Sequence, residues 1–153
     1  MMKLSKMTDY AVVCLGALAR KPGNSKSATE LSKETGLKLY TVQKLLKLLV
    51  SKSDFIRANR GPHGGYTLNK NSSDISVVEI IEALDGPITL TSCVDNSESF
   101  CESSDICFLG GKWNKINEII RKSLNDISLK DILSYEKTFL TNENEKVSMN
   151  RIN

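Results

Sequence analysis

The sequence lacks a hydrophobic run long enough to cross a membrane, and it contains a single histidine. Its first residues, Met1 to Lys6, include no apolar signal-peptide core, so we expect a cytoplasmic protein. It also has no phosphate-binding glycine loop, no Ser/His/Asp combination typical of hydrolases and no visible internal repeat. These absences argue against a membrane protein and against a hydrolytic or transferase enzyme.

The composition is that of an ordinary globular protein. The chain has 153 residues, of which 40% are hydrophobic and 25% are charged, so it can bury one core with a helical extension. It contains four cysteines. Thiols stay reduced in the cytosol, which favours metal-binding or redox-active cysteines over structural disulfides.

The charge is unevenly distributed along the chain. Residues 1–75 carry thirteen Lys and Arg against five Asp and Glu, a net +8, whereas residues 76–153 carry eight against thirteen, a net −5. A basic N-terminal half is typical of nucleic-acid binding, although a merely solvated basic surface gives the same count.

The first predicted helix runs from Thr8 to Arg20 and ends at Lys21-Pro22-Gly23. One broad apolar face is predicted for Tyr10, Val13, Cys14, Ala17 and Leu18. A free cysteine within such a face behaves as a small hydrophobic residue, so we assign Cys14 to the core.

Two further helices have the spacing of a helix-turn-helix. A capping box at Ser27–Glu30 opens a short helix that stops at Gly36, and a longer helix follows from about Tyr40 to Lys52. Its apolar positions follow the i, i+3, i+4, i+7 pattern: Val42, Leu45, Leu46 and Leu49.

The polar face of that longer helix is the candidate DNA-reading surface. Thr and Gln can bond base edges, and lysines can neutralise phosphates. A polar helix face is usually only solvated, but here it belongs to a helix-turn-helix in a basic segment. The candidates on and beside this helix are Lys38, Tyr40, Thr41, Gln43, Lys44 and Lys47.

A hairpin with a glycine-rich tip is predicted directly after the helix-turn-helix, which makes it a wing. Its strands are Phe55–Arg60 and Tyr66–Leu68. Arg57, Arg60 and His63 are candidates for phosphate or minor-groove contact. The wing-tip position of His63 favours that role over metal ligation.

Three more helices complete the pattern, and the last is a short helix that starts at Ser128-Leu129-Lys130-Asp131. A capping box at Ser76–Glu79 opens the segment Val77–Leu84, with Val77, Ile80, Ile81 and Leu84 expected to pack. A long helix from about Lys112 to Asp126 carries an apolar stripe: Trp113, Ile116, Ile119, Ile120, Leu124 and Ile127. This stripe either folds back onto the preceding domain or forms a dimer, and we favour the dimer.

Three of the four cysteines, Cys93, Cys101 and Cys107, lie in one polar segment between Gly86 and Gly111. So long an irregular segment is uncommon in a small domain unless it is functional or disordered. The spacing Cys-x7-Cys-x5-Cys lacks the close pairs that structural zinc prefers, and a disulfide would leave one thiol over. The spacing therefore favours an iron–sulfur cluster over zinc, with a redox thiol switch third.

Several of these motifs together resemble the IscR/NsrR (Rrf-two) family of winged-helix regulators, and within it the regulators of SUF iron–sulfur assembly. The likeness covers roughly Lys3 to Leu133. It is carried by Thr8-Asp9-Tyr10-Ala11, the wing Arg60–Leu68, the segment Ile75–Leu84 and the three-cysteine segment.

The resemblance implies a homodimer that binds a palindromic promoter site and one iron–sulfur cluster per subunit. Cys93, Cys101 and Cys107 match the cluster ligands of the family; 2Fe–2S is favoured and 4Fe–4S is the alternative. Some members use a histidine where this chain has Gly110, and others use the acidic residue of the Thr-Asp-Tyr motif, here Asp9. Asp9, supplied by the partner subunit, is therefore the leading fourth ligand; the alternative is that Asp9 caps the first helix.

The expected fold is mainly α with a small β-wing: a winged helix-turn-helix domain plus a long C-terminal dimerisation helix. The expected division is 1–85 for DNA binding, 86–111 for the cluster, 112–140 for dimerisation and 141–153 for a polar tail. The expected function is an iron–sulfur-sensing regulator, a repressor of iron–sulfur assembly genes. The alternatives are a DNA-binding protein switched by thiol oxidation and an iron–sulfur electron carrier.

Overall fold

The computed structural model describes residues 4–94, 107–109 and 112–134. These residues form a mainly helical fold with one antiparallel hairpin, which confirms the predicted fold class. The elements, in chain order, are α1 (Lys6–Ala19), α2 (Ala28–Thr35), α3 (Leu39–Lys52), β1 (Ile56–Asn59), β2 (Gly65–Leu68), α4 (Val77–Asp85), α5 (Lys112–Asn125) and α6 (Leu129–Leu133).

Helix α1 begins two residues earlier than predicted because Ser5 caps it. The Ser5 hydroxyl accepts a hydrogen bond from the Thr8 amide at 3.2 Å. The core face consists of Ala11, Cys14, Leu15 and Leu18, which are the i, i+3, i+4 and i+7 positions. Val13 lies about half a turn away from this face and is 42% exposed, so the inward placement of Val13 was wrong.

Cys14 lies in the core, as predicted. Its side chain is fully buried, and burial raises the pKa of the thiol to about 11. The thiolate form is therefore disfavoured at neutral pH, which leaves Cys14 a poor nucleophile and a poor metal ligand.

The capping boxes form as the sequence indicated. The Ser27 hydroxyl accepts from the Glu30 amide at 3.2 Å, while the Glu30 carboxylate accepts from the Ser27 amide at 2.7 Å. Equivalent boxes begin α4 at Ser76 and α6 at Ser128. A good N-cap typically stabilises a protein by about 1 kcal/mol.

Helices α2 and α3 form the predicted helix-turn-helix. Gly36 ends α2 with φ +74°, a left-handed conformation that glycine adopts without steric cost. The four predicted apolar residues of α3 are all fully buried: Val42, Leu45, Leu46 and Leu49. Burying each such side chain contributes about 1.5–3 kcal/mol, so this face fixes α3 against α1, α2 and α4.

The wing is a hairpin in which Ile56 pairs with Leu68 and Asn59 pairs with Gly65. The hairpin is joined to the chain before α2, because Lys26 and Tyr66 exchange backbone hydrogen bonds of 3.1 and 2.8 Å. Gly65 has φ +149°, and a β-carbon there would lie 2.6 Å from the carbonyl of Lys26. Only glycine fits this junction without strain.

Helix α4 has two buried faces, which the single predicted stripe missed. Ile80 and Ala83 belong to the main core, whereas Val78 and Ile81 form a second cluster with Ile88. Two predicted members of the stripe, Val77 and Leu84, are only half-buried. The second face is present because α5 packs on it through Leu124, a contact that α4 alone could not reveal.

The apolar residues of α5 are partly packed on α4 and partly exposed. Leu124 packs on α4, but Ile116 is 45% exposed and Ile119 is 57% exposed. The stripe therefore folds back in part onto its own domain and leaves another part uncovered within the described residues.

Helix α6 packs under α1, with Leu129 fully buried in the main core. The Leu129 amide donates to the carbonyl of Ile75 at 2.8 Å, and the Val77 amide donates to the carbonyl of Ile127 at 2.9 Å. The predicted polar tail, 141–153, lies outside the described residues. In the part of the chain that the structure describes, no helix combines the length and the apolar character needed to cross a membrane.

Candidate DNA-binding surface and cysteine site

Helix α3 presents its polar face to solvent. Tyr40 is 75% exposed. Gln43, Lys44 and Lys47 are also exposed, and Thr41 is half-buried. Because the opposite face is fully buried, the helix cannot rotate, and these side chains keep their outward position.

The start of α3 adds positive potential to this face. Lys38 is exposed at the N-cap position, makes no side-chain cap, and no acidic residue follows in the first turn. The amides of this turn are therefore not capped by a side chain of α3, and the helix dipole favours a negative group beside them.

The wing presents two arginines and a histidine beside a tight turn. Arg57, Arg60 and His63 are all exposed. The turn is closed by a 2.9 Å hydrogen bond from the Gly64 amide to the Gly61 carbonyl. A β-carbon on Gly64 would lie 2.5 Å from the carbonyl oxygen of Asn59, so the tip depends on glycine.

The cationic candidates make no ion pair in the described part of the chain, a property that they share with other lysines such as Lys21 and Lys33. These candidates are Lys38, Lys44, Lys47, Arg57 and Arg60. In contrast, Lys26 pairs with Glu34, and Lys70 pairs with Asp54 and Glu79. We call the unpaired set, together with Tyr40, Thr41, Gln43 and His63, the basic face. Unpaired, exposed cations on a recognition helix and a wing suit contact with phosphates.

The described part of the cysteine segment begins with a short, anchored run before Cys93. Asn117 of α5 is 7% exposed, and its side-chain amide bonds this run twice. Its carbonyl oxygen accepts from the Leu90 amide at 3.0 Å, and its NH2 group donates to the Ile88 carbonyl at 2.8 Å. We call residues 88–93 the first limb.

Asn117 was missed by the sequence analysis. A signal was present, because asparagine is a poor helix former and here stands among the isoleucines of the α5 stripe. Its partners lie 27 and 29 residues away, however, so only the fold identifies them.

A salt bridge one turn further along α5 holds the same helix on α4. Arg121 donates from Nε and from a terminal nitrogen to the two carboxylate oxygens of Glu82, at 2.7 and 2.8 Å. The hydrogen bond from Arg121 lowers the pKa of Glu82. Such a paired geometry fixes orientation as well as distance.

The two described cysteines of the segment are half-buried, and neither is in a disulfide. Thr91 Oγ1 lies 3.1 Å from Cys93 Sγ, within hydrogen-bonding distance. Cys107 lies shortly before α5, whose first amide, that of Lys112, donates to the Leu109 carbonyl at 3.0 Å. Cys101 and Gly110 lie outside the described residues.

Asp9 is exposed in the first turn of α1. Ser5, not Asp9, is the N-cap of that helix. Next to Asp9, the buried Thr8 donates through its hydroxyl to the Asp85 carboxylate at 2.9 Å, and Asp85 also accepts from the Ser5 amide at 3.0 Å. The contact ties the turn that carries Asp9 to the end of α4, just before the cysteine segment.

Among the described residues, no group of three or more His, Cys, Asp or Glu side chains could hold a metal. The chemistry of the available donors is compatible with iron and sulfide: Cys93 and Cys107 are free, partly accessible thiols, whereas Cys14 is buried and disfavoured as a thiolate.

A model of the Rrf2 family, described as iron-dependent transcriptional regulators, matches residues 4–135. The HTH-type transcriptional regulator IscR of Klebsiella pneumoniae is 30% identical over 138 residues, covering 89% of this chain and 82% of that protein. Such relatives are transcriptional regulators, which are not enzymes.

Two solved structures show the same fold. The global cysteine regulator CymR of B. subtilis has a TM-score of 0.66 at 24% identity, covering 90% of this chain and 100% of that chain. IscR of T. potens has a TM-score of 0.59 at 24% identity, covering 92% and 93%. Together with the family match and the winged helix-turn-helix described above, these findings show that the chain belongs to the Rrf2 family of DNA-binding transcriptional regulators.

Proposed function

We propose that this regulator senses an iron–sulfur cluster, binds a palindromic promoter site as a homodimer and represses iron–sulfur assembly genes. The observation that carries the proposal is that Cys93 is a free, half-buried thiol on an anchored limb, in a family described as iron-dependent.

DNA would be bound by the basic face. Gln43 and Thr41 on α3 are suited to hydrogen-bond base edges, while Lys44, Lys47 and the wing arginines neutralise phosphates. The buried face of α3 and the glycine-dependent wing turn support this role, because the backbone that carries these side chains needs no further ordering on binding.

The ligands of the cluster would be Cys93, Cys101 and Cys107, with Asp9 of the partner subunit as the fourth, and 2Fe–2S is the favoured type. The cluster would supply a redox-active centre whose potential depends on hydrogen bonds to the sulfurs and on exposure to solvent. Thr91 is placed to provide one such hydrogen bond to Cys93.

The dimer would be formed through α5. Ile116 and Ile119 expose apolar surface on this helix, and Phe108 is 82% exposed just before it. A contiguous exposed apolar surface often marks a protein interface. Asn117 connects α5 with the first limb, and Arg121 connects α5 with α4. A movement of the cysteines would therefore be transmitted to α5 through these few contacts.

A thiol switch without a cluster is the second candidate, and one observation favours it. The fold is shared with CymR, including the oxidised form of the Staphylococcus aureus protein, which is 26% identical with a TM-score of 0.60. The electron-carrier alternative is not retained, because the chain belongs to a family of transcriptional regulators.

The test is the composition of protein purified without oxygen. We expect iron and sulfide together with visible charge-transfer absorption, and loss or weakening of all three in Cys93→Ala, Cys101→Ala and Cys107→Ala. Cys14→Ala is the matched control, because this thiol is buried in the core; it should retain the cluster. A colourless protein with reversible thiol oxidation would support the second candidate, and zinc without sulfide would reject the cluster.

A further inference from the structure

Asn117 is an unusual residue for its position on α5. It is the one buried residue of the helix, and it is polar. Both ends of its side-chain amide are bonded to backbone groups of the first limb, at Ile88 and Leu90. These bonds replace the backbone partners that a strand or helix would have supplied to this limb.

We infer that Asn117 is a positioning residue for Cys93: it fixes the first limb on α5 and so sets how far the Cys93 thiol is exposed. Leu90 is three residues before Cys93, and the intervening Thr91 carbonyl accepts from the Val94 amide at 3.2 Å in a tight turn. The anchored Leu90 is therefore followed directly by the hydrogen-bonded turn that contains Cys93.

The anchor is specific for an amide. A side chain must offer an acceptor to the Leu90 amide and a donor to the Ile88 carbonyl at the same time, and the carboxamide of Asn carries both on adjacent atoms of one planar group. Aspartate would keep the acceptor but place an oxygen against the Ile88 carbonyl. Leaving either backbone group buried and unbonded is unfavourable, so the limb would separate from α5 instead.

For regulation, this inference rests on the proposed cluster site. A limb held by the dimer helix means that Cys93 and α5 cannot move independently. Occupancy at the cysteines and the position of α5 are then linked in both directions, as any coupling between two sites must be.

The first experiment is alkylation of the full-length, reduced, cluster-free chain, with each cysteine followed by peptide mass spectrometry. In Asn117→Ala we expect Cys93 to react roughly tenfold faster than in the wild type, because the variant loses the net stabilisation that the Asn117 hydrogen bonds give to the first limb. Cys14 should remain unreactive and reports folding. Asn125→Ala is the matched control, because Asn125 is an exposed asparagine on the same helix; Cys93 should react there at the wild-type rate.

An unchanged Cys93 rate in Asn117→Ala with Cys14 protected would overturn the inference. If Cys14 also becomes reactive, the variant has unfolded. The hydrogen bond from the Leu90 amide to Asn117 is then tested in the wild-type chain by amide hydrogen exchange. The Leu90 amide should exchange at least roughly tenfold slower than in an unstructured peptide; exchange at the peptide rate overturns the inference.

A second arm uses the cluster-loaded protein. Asn117→Ala should lose its visible absorption in air faster than wild type and Asn125→Ala. If wild type holds no iron and sulfide, the proposed function fails while the alkylation and exchange results still decide the role of Asn117. If wild type holds a cluster and all three proteins lose it at the same rate, the link from Asn117 to the cluster is rejected.

Discussion

Thr8 and Asp85 are joined by a hydrogen bond of 2.9 Å, although 77 residues separate them in the sequence. Thr8 is 1% exposed and directly precedes Asp9, while Asp85 directly precedes the glycine and proline that lead into the cysteine segment. Two regions with proposed roles at the cluster are therefore held together by a bond between residues that have no such role.

The Asp85 contact predicts a pH-dependent contribution to stability. Partial burial acts to raise the pKa of Asp85, but hydrogen bonds from Ser5 and Thr8 outweigh it, and the pKa lies below the ordinary 3.8. A carboxylate with a lowered pKa in the folded state stabilises the fold above its unfolded-state pKa, and this contribution is lost as the pH falls through the folded-state pKa.

Urea unfolding should show this dependence. At pH 7 we expect Thr8→Val and Asp85→Asn to be less stable than wild type by about 1 kcal/mol each. The difference between wild type and Asp85→Asn should shrink below about pH 4. Asp126→Asn, an exposed carboxylate on the chain after α5, is the control. A constant difference between wild type and Asp85→Asn from pH 7 to pH 3 would contradict the assignment.

The basic face predicts two kinds of DNA-binding defect. Lys44→Ala and Lys47→Ala should each weaken binding to all sequences and lower the salt slope by about one unit. Gln43→Ala should instead change preference at one base pair, by about 1–3 kcal/mol. Fluorescence anisotropy with a set of single-base variants separates the two. Lys130→Ala, on α6, serves as the control, and unaltered relative affinities in Gln43→Ala would show that Gln43 does not read bases.

The junction between the wing and the chain before α2 predicts a glycine requirement. Gly65→Ala places a β-carbon against the Lys26 backbone and should cost more than the roughly 1–3 kcal/mol of backbone strain alone. Gly23→Ala is a matched control, because Gly23 also has a positive φ, +81°, but nothing lies within 4 Å of the added carbon; about 1 kcal/mol is expected there. Equal thermal midpoints for the two variants would contradict the close approach.

The fourth ligand can be tested with mixed dimers of Asp9→Ala chains and chains lacking Cys93, Cys101 and Cys107. If Asp9 acts across the dimer, one site has three thiolates from the first chain and Asp9 from the second, so one stable cluster is expected. If Asp9 acts within its own chain, the mixed dimer has no complete site and its cluster should be as unstable as in the Asp9→Ala homodimer. Equal cluster stability in wild type and Asp9→Ala would remove Asp9 as a ligand.

The parts of the fold that the sequence predicted depend on local patterns. The Ser27, Ser76 and Ser128 caps act over three residues, and the buried face of α3 follows from its own period. The glycine-rich tip of the wing was also predicted, because a tight hairpin turn needs glycine.

The parts that the sequence did not predict depend on distant neighbours. The predicted face of α1 has Cys14, Ala17 and Leu18 in the core, and only Val13 is misplaced, because it lies about half a turn from the face that the core occupies. The second buried face of α4 exists because α5 returns to it, and the roles of Asn117 and Asp85 depend on partners 27 and 77 residues away. Single-sequence periodicity contains no information on such contacts.

If the protein is a cluster sensor, the state of the cysteine site must change its affinity for DNA. DNA affinity is determined for a single anaerobic preparation before and after cluster removal, at fixed salt, beside a variant lacking Cys93, Cys101 and Cys107. We expect Kd to differ between the two wild-type states by roughly 5- to 150-fold, the usual range of coupling between sites, and to stay unchanged in the variant. The same Kd for cluster-loaded and cluster-free wild type would contradict the proposed cluster sensing.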